Sequence, residues 1–208
     1  NLTALAYFTR EGGTFTVATG RAHPTFAPHV GCAPINAPVV LSNGSALYDF
    51  AEDRMVYETF LPPRVREDLE QAGATAAEVP IAQMPLPWSK VILQQRNEVL
   101  LETQRYMLDR WGEHYEVIFS NPYLLELTRK GSNKGGMVAY LANYLGMDPK
   151  KIYCVGDNQN DIPMLAISAI PFAPSNCARE VKDWGARILC SCEEGCLAQI
   201  VEILDGIY

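Results

Sequence analysis

Residues 156–161 read Gly156-Asp157-Asn158-Gln159-Asn160-Asp161, two carboxylates crowded among carboxamides directly after a short apolar run. Such a cluster repels itself unless a cation or a phosphate joins it, and oxygen-only ligands suit magnesium, which takes one or two carboxylates, waters and substrate phosphate. The competing reading is an acidic turn in which Asp161 caps the next helix. A second candidate is Lys134, in Lys130-Gly131-Ser132-Asn133-Lys134-Gly135-Gly136. A cation at a helix start opposes the dipole, and two glycines weaken the first turn. Both features make sense if an anion sits there, paired by the lysine and approached by the glycine backbone; the alternative is a solvated lysine in a flexible loop. The third is Thr19-Gly20-Arg21. A hydroxyl, a permissive backbone and a guanidinium at a strand's end make a phosphate cradle, or a plain turn.

The elements that must hold these residues follow from periodicity. Ile152 to Val155 is a short apolar run bounded by turn residues, a buried strand of a parallel sheet, so the acidic cluster falls in the loop at its C-terminal end, where open α/β sheets place ligands. Thr14 to Ala18 is β-branched and aromatic and reads as the strand that ends at Thr19. Met137, Val138, Leu141, Tyr144 and Leu145 form the stripe of the helix that Lys134 opens.

Elsewhere, Leu2 to Phe8 is helical, Val39 to Leu41 is a strand, and Asn43-Gly44 is a hairpin-like turn leading to a hairpin through Tyr48 and Tyr57. Pro62-Pro63 marks a change of domain. Between it and Asn121-Pro122 lie a helix over 65–71, an irregular stretch over 73–87, a strand over 89–95, the strongest helix of the chain over 97–111, and a strand over 116–120; another strand follows over 123–128. After the acidic loop, helices over 164–169, 175–184 and 196–207 alternate with strands over 170–173 and 187–190. The alternation predicts an α/β protein, a Rossmann-like doubly wound parallel sheet over 1–62 and 123–208, with a small α/β cap inserted at 63–122.

The chain has 208 residues, 48% hydrophobic and 20% charged, which is ordinary for a globular protein that buries a real core. A net charge of -7 argues against a broad nucleic-acid surface. No apolar run is long enough for a membrane span, and no signal peptide opens the chain. Six cysteines are read as reduced thiols, which places the protein in the cytoplasm. Cys190, Cys192 and Cys196 lack the paired knuckles and nearby histidines of a zinc site.

Taken in order, Ala18-Thr19-Gly20-Arg21, Ser132-Asn133-Lys134-Gly135 and Gly156-to-Asp161 resemble the motifs of the haloacid dehalogenase superfamily, specifically its Cof-like phosphatases with a large cap between the second and third motifs. The resemblance spans nearly the whole chain. It implies that Thr19 and Gly20 hold the transferring phosphoryl group and that Lys134 neutralises that group and the nucleophile. Asn160 would contact phosphate, Asp157 ligate magnesium and Asp161 support the metal shell. The implied activity is magnesium-dependent hydrolysis of a small phosphorylated metabolite of the sugar phosphate, pyridoxal phosphate or flavin mononucleotide type, with neither nucleic acid nor membrane as partner and a homodimer left open.

The chain departs from the pattern in one respect. The family's nucleophile is the first aspartate of a D-x-D-G-T motif that ends the first strand, its general acid/base is the second, and no two aspartates here are spaced two apart. The expectation is therefore that the nucleophile lies upstream of residue 1, that cap residues are missing between Gln71 and Ser89, and that these 208 residues alone are inactive. A phosphomutase of related fold, or a non-catalytic phosphate or metal binder, stands as the alternative.

Overall fold

The computed structural model describes residues 1–208. Helix α1 (Leu2–Arg10) leads through an extended stretch to the short helix α2 (His23–Phe26) and to strands β1 (Val39–Leu41), β2 (Ala46–Asp49) and β3 (Arg54–Glu58), an antiparallel sheet in that order. The middle of the chain forms α3 (Val65–Gln71), β4 (Val91–Gln94), α4 (Asn97–Trp111), β5 (Tyr115–Asn121) and β6 (Leu124–Arg129). The last third forms α5 (Lys134–Tyr144), β7 (Tyr153–Val155), α6 (Ile162–Leu165), β8 (Ile170–Pro174), α7 (Arg179–Trp184), β9 (Arg187–Leu189) and α8 (Cys196–Asp205). Here β7, β8 and β9 are parallel neighbours with helical crossovers, as the alternation predicts.

The middle segment has its own core. Sheet β4-β6-β5 is antiparallel, and α4 lays Leu100, Met107 and Trp111 on it, a spacing of seven and four residues that keeps one helical face inward. Leu125 and Leu127 of β6 meet them from the sheet side, fully buried. Each such side chain contributes about 1.5–3 kcal/mol by leaving water. The boundary expected after residue 122 would cut a hairpin, because β6 pairs with both β4 and β5 (Leu127 opposite Val91 and Val117). The sheet therefore runs through to Arg129.

Three local expectations change for identifiable reasons. Thr14 to Ala18 makes ladder-like bonds to the β1 region, with Val40 N–H on the Val17 carbonyl at 3.0 Å, but only Ala18 and Val40 form a parallel bridge. The helix expected over 164–169 stops at Leu165, where Ser168 turns back and accepts the Cys154 N–H at 2.8 Å. The helix expected from Ser175 starts at Arg179, because the Ala178 N–H is spent on the Asp157 carbonyl at 2.8 Å. Chain ends meet as well: Asn1 Oδ1 accepts the N–H groups of Leu197 and Ala198 at 3.0 and 3.2 Å, capping α8, whose preceding Gly195 offers no side chain.

Candidate functional site

Lys134 is the first residue of α5 and Asp161 ends the loop after β7; the Lys134 ammonium lies 2.6 Å from Asp161 Oδ1, both groups buried. The helix starts there because Asn133 Oδ1 accepts the Gly136 N–H at 2.9 Å, an N-cap that leaves the lysine free to turn inward. Lys134 is thus not a solvated loop residue. Its two glycines also do something other than expose backbone to an anion. A Cβ at Gly135 would overlap the Pro163 carbonyl, and one at Gly136 would press on the Gly131 carbonyl. Gly135 thus lets α5 seat against α6, which brings Lys134 to the acidic loop, and Gly136 lets the Gly131 carbonyl pass close.

The Asp161 carboxylate does not cap α6, the helix that follows it, but turns back into its own loop. Its Oδ2 accepts the N–H groups of Asp157 and Asn158 at 2.9 and 3.0 Å, while Asn158 Oδ1 accepts the Gln159 N–H at 2.8 Å. The loop is wound around that carboxylate, and a Cβ at Gly156 would strike the Asp161 side chain. Asp157 stands beside it and reaches solvent. Lost solvation and, after it, the Asp161 charge push the Asp157 carboxyl above its usual range, with Lys134 pulling the other way. A carboxyl held up in this manner is one a cation would return to its charged form.

The donor set fits magnesium. Two carboxylates are the number that ion takes when waters and phosphate complete its octahedron. Asp157 is the one with oxygens to offer, because Asp161 Oδ2 already accepts two N–H groups and Oδ1 the lysine. No group of three or more His, Cys, Asp or Glu side chains gathers here or elsewhere in the chain, and Cys190, Cys192 and Cys196 are free thiols.

The remaining site residues join through Asn43. Asn160 is buried and donates from Nδ2 to Asn43 Oδ1 at 3.1 Å. The Asn43 N–H in turn bonds the Thr19 carbonyl at 3.0 Å, and Thr19 Oγ1 accepts the Arg21 N–H at 3.2 Å. Two hydrogen-bonded sets, Thr19–Asn43–Asn160 and Lys134–Asp161–Asp157, therefore meet where Asn160 precedes Asp161 in the chain, and Asn43, Lys134 and Asn160 line one small space. Arg21 points away, toward His29 at 3.5 Å.

Three members of this neighbourhood carry no role in the sequence reading. Asn43 looks like a hairpin turn, yet it is buried with φ 56°, following Ser42 at φ 50°. Left-handed backbone at two consecutive non-glycine residues is strain that clusters at functional sites. Glu126 donates nothing and accepts the Asn43 Nδ2–H at 2.7 Å; Lys90 pairs with Glu126 at 2.6 Å and also donates to the Gly20 carbonyl at 2.7 Å. The available signal for Glu126 was a carboxylate interrupting Leu124-Leu125-Leu127. Between Asn43, Glu126, Lys134 and Asn160 the open space is about 10 Å³, room for one water at most.

The chain as a whole resembles known proteins. A family model described as haloacid dehalogenase-like hydrolase matches residues 1–83 and 81–201. A "Putative phosphatase" of Buchnera aphidicola is 25% identical over 195 residues, 76% of this chain and 72% of that protein. An Arabidopsis thaliana chloroplast endoribonuclease is 34% identical over 94 residues, 45% of this chain, so the chain spans only 16% of that relative's length. Among solved structures, a haloacid dehalogenase-like hydrolase from B. subtilis superposes with a TM-score of 0.82 at 17% identity, over 97% of this chain and 91% of that one. A subclass IIB sugar phosphatase of the same superfamily superposes at 0.76 with 16% identity, over 98% and 90%.

Proposed function

The chain belongs to the haloacid dehalogenase-like hydrolases, and on that premise we propose that it forms the greater part of a magnesium-dependent phosphohydrolase acting on a small phosphorylated metabolite. The observation that carries this reading is the junction of Lys134, Asp161, Asn160 and, through Asn43, the Thr19-Gly20 loop. Phosphoryl transfer asks for positioning and charge neutralisation more than for elaborate proton chemistry, and these residues offer donors and a buried cation.

In this reading Thr19 and Gly20 receive the phosphate oxygens, Asn160 contacts them and Lys134 balances their charge. Asp157, supported by Asp161, would hold the magnesium ion, which screens an anionic ester from an anionic nucleophile. The nucleophile is an aspartate upstream of residue 1. Its carboxylate oxygen attacks phosphorus as the ester P–O bond breaks and the alcohol leaves with a proton from the motif's second aspartate, likewise upstream; that residue then takes a proton from the water that releases inorganic phosphate from the aspartyl-phosphate. Support comes from two strand edges. β7 has a partner on its β8 side only, Thr14–Ala18 bridges only toward Val40, and both Ala18 and Cys154 border one hydrophobic cluster. An edge strand leaves a row of N–H and C=O groups open to pairing, and a further strand between these two edges would take them up.

Residues from about Leu61 to Arg129, with their own core, would act as the cap that covers the site and selects the substrate. Sugar phosphates, pyridoxal phosphate and flavin mononucleotide are the candidate classes, and the subclass IIB sugar phosphatase neighbour favours the first. The free thiols support a reducing, cytoplasmic setting. No helix is long and apolar enough to cross a membrane.

The test is hydrolysis of p-nitrophenyl phosphate by the full-length protein with and without magnesium. Stimulated turnover abolished by Asp157→Asn and by Lys134→Ala is the expected result. Phosphate binding without turnover would instead favour a non-catalytic relative. Residues 1–208 alone should be inactive, and an Asp157-dependent rate from them would overturn the upstream nucleophile.

A further inference from the structure

The inserted sheet reaches the site through two buried side chains. Lys90, just before β4, and Glu126, on β6, form an ion pair at 2.6 Å with side chains only 12% and 7% exposed. Neither end of the pair is left at home. The Lys90 ammonium also bonds the Gly20 carbonyl at 2.7 Å, and Glu126 Oε2 also accepts Asn43 Nδ2–H at 2.7 Å. A buried ion pair is weak evidence for stability, because desolvation offsets most of the attraction. Its geometry is informative in another way.

Hydrogen-bond polarity along this chain of groups has one solution. An ammonium can only donate and a carboxylate can only accept. Asn43 must therefore turn its amide nitrogen to Glu126, which turns its oxygen to Asn160, which must answer with its own amide nitrogen at 3.1 Å. One carboxylate on the inserted sheet fixes the rotamers of two carboxamides, the second of which lies in the acidic loop. At the other end, Lys90 fixes the Gly20 carbonyl and with it the direction of the peptide that follows. A further strut, Asn158 Nδ2–H on the Ser120 carbonyl at 2.7 Å, ties the acidic loop to β5.

We propose that Lys90 and Glu126 are positioning residues. Through Asn43 they set the orientation of the Gly20 carbonyl and of the Asn160 carboxamide, so that the phosphate-binding loops are ordered only while the inserted sheet is docked. This rests on the function proposed above for the identity of the ligand, not for the relay itself. Glu126 without Lys90 would be a buried unpaired carboxylate next to Asn160 and Lys134, hostile to an incoming phosphate. Lys90 without Glu126 would leave Asn43 free to flip.

Two measurements test it on the full-length protein. In the first, orthophosphate affinity is read by calorimetry for Lys90→Met, Glu126→Gln, the double variant and Lys90→Arg. Each of the first two should bind about tenfold more weakly, the double no more weakly than the worse single, because the pair acts as one unit. Arginine, which keeps the charge, should recover part of the loss. In the second, backbone hydrogen exchange is read without ligand, and Glu126→Gln should speed exchange over residues 19–21 and 158–161 more than over β7 and β8, which separates release of the two loops from a general loss of stability. Unchanged exchange in both loops overturns the relay whatever phosphate does. Additive affinity losses, or losses without an exchange change, overturn it as well. Failure of the parent protein to bind orthophosphate overturns the functional reading instead, and the exchange result still decides the relay.

Discussion

The Lys134 ammonium sits 2.6 Å from Asp161 Oδ1, an ion pair joining the first residue of α5 to the loop that follows β7. Both side chains are below 10% exposed. Each needs the other to be tolerable in the interior, and the two backbone N–H groups on Asp161 Oδ2 complete the shell. Lys134→Ala should therefore cost about 3–5 kcal/mol, the size expected when one partner of a buried pair is removed. Urea unfolding of the variant checks this, and a loss under about 1 kcal/mol would mean that the pair is not buried in solution.

Gly135→Ala tests how the lysine is delivered. The new methyl would overlap the Pro163 carbonyl, forcing α5 away from α6 at an expected cost of about 1–3 kcal/mol. Gly131→Ala is not an equivalent control, because its φ is 83° and any side chain there is strained. Gly31→Ala, with open space around it and an ordinary backbone, should be neutral in the same thermal melt.

Magnesium should raise the melting temperature of the parent protein, since a ligand that binds only the native state stabilises it by about 2.7 kcal/mol at a hundred times its dissociation constant. Asp157→Asn should remove that dependence and melt close to the parent without metal. A variant that still responds to magnesium would move the metal away from Asp157.

Within the inserted sheet, Tyr115 is fully buried and donates its hydroxyl to Asp68 Oδ2 at 2.6 Å, while Arg64 Nε and Nη2 reach the same carboxylate at 2.9 and 3.0 Å. Burial and the bond to Asp68 push the Tyr115 hydroxyl well above its ordinary range, so it stays a donor throughout the working pH range. Tyr115→Phe keeps the ring's packing and strips one donor from a buried carboxylate. The expected loss is about 1–3 kcal/mol by equilibrium denaturation. Phe119→Tyr would be uninformative here, since it adds a buried hydroxyl of its own.

Alkaline pH should unfold the protein partly through Cys154. Burial pushes that thiol up to about 11 from an ordinary value of 9.0. The native state then holds the proton more tightly than the unfolded chain between those values, so the stability from the neutral thiol is full below pH 9 and lost as pH rises toward 11. At most about 2–3 kcal/mol is at stake. Cys154→Ala should start less stable, with a shallower decline over the same window in denaturant midpoints. An equal slope would assign the decline to other groups.

Much of the candidate site was legible because local chemistry is strained there. Lys134 at a helix start beside two glycines contradicts what a stable helix wants, and the carboxylates after β7 contradict each other, so both ask for a partner without any knowledge of the fold. The helix from Asn97 to Trp111 was legible for the opposite reason, since its apolar face, charges and length all agree. Glu126 and Lys90 were not legible. In sequence they are an acid in a strand and a lysine beside one, and strand residues of that kind usually face water.

The amino-acid sequence by itself determined where charge and permissive backbone gather, at Thr19-Gly20, Lys134 and Asp157 to Asp161, because both belong to short stretches. Only the tertiary structure decided that Glu126 meets Asn43 across 83 positions and that Lys90 meets Gly20 across 70. Those contacts depend on how the inserted sheet docks against the phosphate loops, and docking is a collective result of two separate hydrophobic cores rather than a property of any stretch. The same holds for the glycines of α5. Their number was written in the chain, but that Gly135 serves the seat against Pro163 and Gly136 the close pass of the Gly131 carbonyl emerged only when those neighbours were in place.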